Sequence, residues 1–183
     1  LSYGVDRNAA IFIRKVDGAD AVKLDFGNRP ALSGDGSLVA CIQRGNPARL
    51  KIIHTGAGEP KFVASAGLEY ESLEWFPDRK RLLVVARRGN EAFRSWLQPV
   101  EGGEPHPITQ PGVRARGISP DGVMIVEANA QNLVIHFVDQ RPSRVVAKSL
   151  PRESVVRWNA AGSGFYTRRE IDQDSALQVD LVD

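Results

Sequence analysis

Trp75-Phe76-Pro77-Asp78-Arg79-Lys80-Arg81-Leu82-Leu83-Val84-Val85-Ala86 decides the fold. An aromatic pair leads into a Pro-Asp turn, and an apolar run leaves it. Pro presets φ at the second turn position and Asp tolerates the third. The run at 81–86 is almost continuously apolar, as in a strand covered on both faces. Related turns start at residues 33, 76, 119 and 159, spaced by 43, 43 and 40 residues. Such spacing is the mark of a repeated supersecondary unit.

Ser119-Pro120-Asp121-Gly122 is the fullest copy, with Gly in the left-handed fourth position. Ser33-Gly34-Asp35-Gly36 is close to it. Arg79 stands where Gly is expected; if the turn keeps its shape, the left-handed arginine costs about 1 kcal/mol or more. Asn159-Ala160-Ala161-Gly162 has lost both Pro and Asp. After each turn comes a strand, at 37–42, 81–86, 123–127 and 165–168. Third strands are expected at 11–16, 50–54, 95–100, 133–138 and 177–181, the last with Leu177, Val179 and Leu181 on one face. Fourth strands are expected at 21–24, 61–64, 105–109 and 144–147. Pro105 and Pro107 cannot donate ladder hydrogen bonds, which makes their strand a sheet edge.

The unit is therefore a four-stranded antiparallel meander of β-propeller size, roughly 40–45 residues. The fold class is all-β: a propeller of about four blade equivalents. Residues 1–26 supply outer strands of a blade, 28–64, 70–109 and 113–148 three full blades, and 154–183 a partial one. Almost no helix is expected, since no segment keeps a 3.6-residue apolar period. A β-sandwich is the plainer alternative, and the repeat argues against it. Leu1 is not an initiator methionine and both ends fall mid-blade, so the segment reads as part of a larger propeller whose remaining blades the parent chain supplies. Alternatively, strands from 1–26 complete the blade at 154–183.

Bulk chemistry excludes several classes. Lys and Arg number 24 against 22 Asp and Glu, a net charge of +2. The basic residues are dispersed, so no nucleic-acid footprint is expected. No apolar run approaches the roughly 20 residues that span a bilayer, and no signal peptide opens the chain. Cys41 is the single cysteine and lies in an apolar strand, where a buried inert thiol is expected.

Chain segments resemble a known group at these repeats. Ile118-Ser119-Pro120-Asp121-Gly122 and Trp75-Phe76-Pro77-Asp78 are similar to the WD-repeat-like, TolB-type propeller repeats of bacteria. The run from Trp75 to Val113, with Trp96-Leu97-Gln98-Pro99-Val100-Glu101-Gly102-Gly103-Glu104-Pro105, is similar to the propeller region that follows the kinase domain of bacterial eukaryotic-like serine/threonine kinases. Arg79 and the altered fourth turn depart from the pattern. The resemblance implies a fold and a parent protein rather than an activity. It favours the extracytoplasmic side of the inner membrane or the periplasm over the cytoplasm, and leaves localisation open.

No catalytic set is present. A kinase needs a Gly-rich loop, a lysine strand and two metal-linked aspartates, and these do not occur together. Gly56-Ala57-Gly58-Glu59-Pro60-Lys61 lies between two strands with no helix to follow, so it reads as a hairpin loop rather than a phosphate cradle. His54, His106 and His136 fit no metal spacing, and no Gly-x-Ser-x-Gly elbow occurs. No metal and no cofactor are expected. Asp35, Asp78 and Asp121 recur once per blade, as residues that shape their own turns. Trp75 and Trp158 occupy equivalent positions and are expected to pack between blades, as is Trp96. Ligand-binding candidates lie where one blade's outer strand passes to the next blade's inner strand. They are Glu69, Tyr70 and Glu71 beside Gly67, then Arg114 and Arg116 beside Gln110, then Arg152 and Glu153. Carboxylates, guanidiniums and a tyrosine together suit a protein or peptide partner. The expected function is a non-catalytic binding or sensor propeller of a bacterial signalling protein, a serine/threonine kinase. The alternatives are a TolB-like periplasmic scaffold and a gating propeller of a serine peptidase.

Overall fold

The computed structural model describes residues 9–170 and 177–182. Those residues form strands and no helix. The first sheet holds β1 (Ala9–Ile13), β2 (Val22–Leu32), β3 (Leu38–Gln43), β4 (Arg49–His54) and β5 (Lys61–Val63). Blade 2 holds β6 (Leu68–Trp75), β7 (Arg81–Arg88), β8 (Arg94–Pro99) and β9 (His106–Pro107). Blade 3 holds β10 (Arg116–Ile118), β11 (Met124–Ala128), β12 (Asn132–Phe137) and β13 (Arg144–Lys148). Blade 4 holds β14 (Glu153–Trp158), β15 (Phe165–Glu170) and β16 (Leu177–Val182). Neighbours in sequence are neighbours in each sheet, all antiparallel. The four sheets are arranged as a four-bladed β-propeller.

All four turns share one geometry. The fourth turn residues have φ of 74° (Gly36), 58° (Arg79), 72° (Gly122) and 70° (Gly162). Each donates its N–H to the carbonyl three residues back, at 2.8–3.1 Å. Arg79 thus accepts the left-handed strain, and its guanidinium reaches Asp35 in the turn of blade 1. The recurring aspartates shape their own turns: Asp35, Asp78 and Asp121 each accept the N–H two residues on. Asn159 does the same work in the altered copy, accepting the Ser163 N–H at 3.1 Å.

The interior strand expectation holds for β7, where Leu82 to Ala86 are all buried. Leu82, Val84 and Ala86 join a cluster with Ala40, Ile42, Leu50 and Ile52 of blade 1. Leu83 points the other way, to Ala115 and Ile125 of blade 3. Trp158 and Phe165 of blade 4 pack edge to face, 5.4 Å apart, against Val126, Leu133 and Ile135 of blade 3. No core cluster among the described residues joins blade 1 to blade 4. The proline strand is shorter than expected: β9 pairs His106 and Pro107 with β8, Pro105 before it has no N–H to give, and beyond it Ile108 donates to the Ser95 carbonyl at 2.9 Å.

Residues 9–27 differ most from a plain blade. β1 pairs with the first half of β2, and β3 with its second half, so one long strand serves a hairpin and a blade. Ile11 and Leu24 of that hairpin pack on Val39, Cys41 and Ile53. Asp25 adds an ion pair to Lys51 of β4, 2.6 Å away. Cys41 is fully buried, and burial pushes its thiol up to about 11, so it stays protonated and inert.

Candidate ligand-binding face

Indole and carboxylate latches hold the inner strands in register from blade to blade. Trp75, the last residue of β6, donates its indole N–H to the Ala31 carbonyl of blade 1 at 3.0 Å. Trp158 does the same to the Gly117 carbonyl of blade 3 at 2.8 Å. Both bonds join the position before one turn to the position two before the preceding turn. Blade 3 has Ile118 in the tryptophan slot, and there the latch is reversed. Glu74 of blade 2 accepts the N–H groups of Gly117 (3.0 Å) and Ile118 (3.3 Å). Trp96, by contrast, donates within its own blade, to the Ala86 carbonyl, while its ring fills the blade 1–2 core.

Glu74 gives this latch a pH dependence. Burial pushes its carboxyl above the ordinary 4.5, while the Ile118 and Gly117 N–H groups and Arg116 pull the other way. The folded chain therefore holds the proton more tightly than the unfolded chain. Stability contributed here is greatest below pH 4.5 and declines as pH rises through the raised folded value. Glu74→Gln keeps an accepting oxygen and removes the titration. Urea unfolding of both proteins between about pH 4 and about pH 7 will show the variant gaining on the wild type as pH rises. A constant difference, or one of opposite sign, rejects this account.

Of the clefts that open beside these inner strands, two hold candidate residues from more than one position. The larger, about 670 Å³, lies between blades 1 and 2. Asn28, Arg29, Arg44, Glu69, Glu71 and Phe93 line it, with Ile42, Leu68 and Tyr70 among its apolar walls. The smaller, about 250 Å³, lies between blades 3 and 4, lined by Arg114, Arg116, Glu153 and Arg168. Six of the seven candidate residues thus line one cleft or the other; Arg152 lines neither.

Most candidates begin inner strands rather than occupy loops: Glu69, Tyr70 and Glu71 on β6, Arg116 on β10 and Glu153 on β14. Glu71 accepts one bond each from Arg114 and Arg116, both at 2.8 Å, tying blade 2 to blade 3. Glu69 pairs with Arg87 of the adjacent strand at 2.8 Å. Tyr70 is buried in the blade 1–2 core, with its hydroxyl 3.3 Å from the Gln98 amide oxygen, and burial pushes its pKa up. Glu153 accepts the Leu150 N–H at 2.7 Å and closes the turn ahead of β14. Arg152 holds a left-handed φ of 60° in that turn. Gln110 likewise closes a turn through its carbonyl, to the Val113 N–H at 3.1 Å.

Sequence reasoning missed Arg29, Arg44 and Phe93. Phe93 has guanidinium groups of Arg87 and Arg114 at 4.9 and 5.1 Å from its ring centre. Nothing local to these residues marks them; they matter through residues that lie elsewhere in the chain. Residues 56–60 lie in the loop between β4 and β5, and Lys61, the first residue of β5, pairs with Glu101 at 2.7 Å. His136 meets Glu127 at 2.9 Å on neighbouring strands of blade 3. Among the described residues no group of His, Cys, Asp and Glu is placed to hold a metal. Among the described residues no helix is long and apolar enough to cross a membrane.

No protein-family description and no curated protein matches the chain. Solved structures do. TolB from Agrobacterium tumefaciens aligns at 16% identity and a TM-score of 0.76, over 94% of this chain and 65% of that one. TolB from Acinetobacter baumannii aligns at 14% identity and 0.64, over 96% of this chain and 49% of that one. The chain has a TolB-like propeller fold. A prolyl endopeptidase also aligns, at 14% identity and 0.64, over 90% of this chain and 29% of that one. Identities this low establish the fold alone. The chain spans between about half and two-thirds of the TolB structures, and under a third of the peptidase.

Proposed function

We propose that the chain is a non-catalytic propeller that binds a protein or peptide for a larger bacterial signalling protein. The cleft of about 670 Å³ between blades 1 and 2 carries the reading. It sets charges of both signs above apolar walls, which suits a polypeptide better than a uniformly charged ligand. The run from Trp75 to Val113 supports a serine/threonine kinase as the parent protein. Two other parents are compatible with the fold. The TolB likeness favours a periplasmic scaffold on the extracytoplasmic side. The endopeptidase likeness favours a propeller that gates access to a serine peptidase domain.

Phosphotransfer and peptide-hydrolysis assays on the purified 183-residue chain should show no turnover above buffer. Turnover that disappears when the chain is unfolded would overturn the non-catalytic reading. The surrounding polypeptide separates the parents. A kinase catalytic loop upstream supports the first, a nucleophile elbow downstream supports the peptidase, and a secretion signal with neither supports the scaffold.

A further inference from the structure

Two arginines hold left-handed backbone beside the blade 1–2 boundary: Arg79 at φ 58° and Arg29 at φ 53°. That conformation is costly for any residue with a Cβ, and it persists where something else requires it. For Arg79 the shared turn requires it, as at Gly36, Gly122 and Gly162, and its guanidinium meets Asp35 of the neighbouring blade. For Arg29 the bulge that shifts β2 against β3 between Asn28 and Ala31 requires it and sets the side chain beside the cleft. Arg29 is exposed on the wall of the larger cleft and has no hydrogen-bond, ion-pair or ring partner among the described residues. The other charged residues of that cleft are engaged. Glu69 is held by Arg87, Glu71 by Arg114 and Arg116, and Arg44 has a partner of its own. Arg29 is therefore the one charge of the cleft left unanswered by the described chain.

We infer that the cleft takes a peptide segment carrying a carboxylate side chain next to an apolar one. Arg29 receives the carboxylate, and the apolar residue packs on Ile42, Leu68 and Phe93. A guanidinium can grip a carboxylate through two parallel hydrogen bonds. One unanswered guanidinium among the described charges of the cleft suits a single carboxylate rather than a run of phosphates. This inference rests on the peptide-binding reading above and names its ligand.

Fluorescence polarisation on the 183-residue chain tests it. The probes are a labelled hexapeptide pool with a fixed Glu-Leu pair, an otherwise identical pool with Gln-Leu, and a labelled thymidine oligonucleotide. The Glu-Leu pool should bind about tenfold or more tightly than the Gln-Leu pool. Arg29→Gly should erase that preference without lowering the melting temperature, since Gly fits the left-handed backbone. Arg29→Asn, which also tolerates it, should do the same. Equal binding of the two pools overturns the acidic ligand and leaves peptide binding standing. A preference that survives both variants, or tighter binding of the oligonucleotide, also overturns it. Binding of neither pool counts against this inference and the proposed function together.

Discussion

Trp75→Ala lowers the unfolding free energy by about 3–5 kcal/mol. The ring is only 7% exposed and fills the boundary between blades 1 and 2 beside Ile42, Leu82 and Val84. Truncation empties that space, and β2 and β6 can collapse into it only by losing their register with their own sheets. The indole N–H adds a directional component, because it is the partner of the Ala31 carbonyl. Trp75→Phe keeps most of the apolar surface and strands that carbonyl, so it costs about 1–3 kcal/mol. Trp158→Ala should resemble Trp75→Ala, since Trp158 is equally buried and bonds to Gly117 in the same way. Denaturant unfolding followed by circular dichroism measures all three. A loss under about 1 kcal/mol for either alanine variant would show that the interblade tryptophans do not hold the blades together. Stacked sheets need not unfold in one step, so the transition should be followed by two probes.

Gly27→Ala is the second large effect, expected to cost about 2–3 kcal/mol. A Cβ built on Gly27 falls 2.4 Å from the Cys41 sulfur and 3.2 Å from the Ile11 Cδ1. Gly27 is the point at which β2 passes from the hairpin to the blade, and the hairpin lies close over β3 because nothing projects there. Cys41 is fully buried and cannot swing away. Combining Gly27→Ala with Cys41→Ala removes the colliding sulfur. The double variant should recover about half of the loss, a favourable coupling of about 1 kcal/mol or more. Strict additivity of the two substitutions would mean that the collision is relieved by backbone movement and that the hairpin is not clamped on β3.

Local chemistry carried much of this architecture. The Ser-x-Asp-Gly turns, the apolar run of β7 and the edge prolines are each written within about ten residues. Even the altered turn at Asn159 is legible, because Gly162 keeps the left-handed slot and an asparagine oxygen replaces the aspartate. The candidate face was legible only in outline. The sequence places Glu71, Arg114 and Arg116 in the loops that pass from one blade's outer strand to the next blade's inner strand, and the structure joins them in one ion-paired group. Tyr70 falls in the same stretch, yet its ring turns into the blade 1–2 core. Alternation along β6 could not say which side chain faces the cleft, because a bulge between Tyr70 and Ser72 shifts the register there.

Sequence alone determined a repeated hairpin-and-meander unit, its period, its turns and its edge strand, because each follows from backbone preferences of adjacent residues. Tertiary structure alone decided how the units latch. Trp75 to Ala31, Trp158 to Gly117, Glu74 to Gly117 and Arg79 to Asp35 all join residues 41–44 positions apart. It also decided that Arg29 faces the cleft without a partner among the described residues. Such pairings arise only when one blade is stacked against the next, and no local propensity encodes which side chain will meet which across that gap.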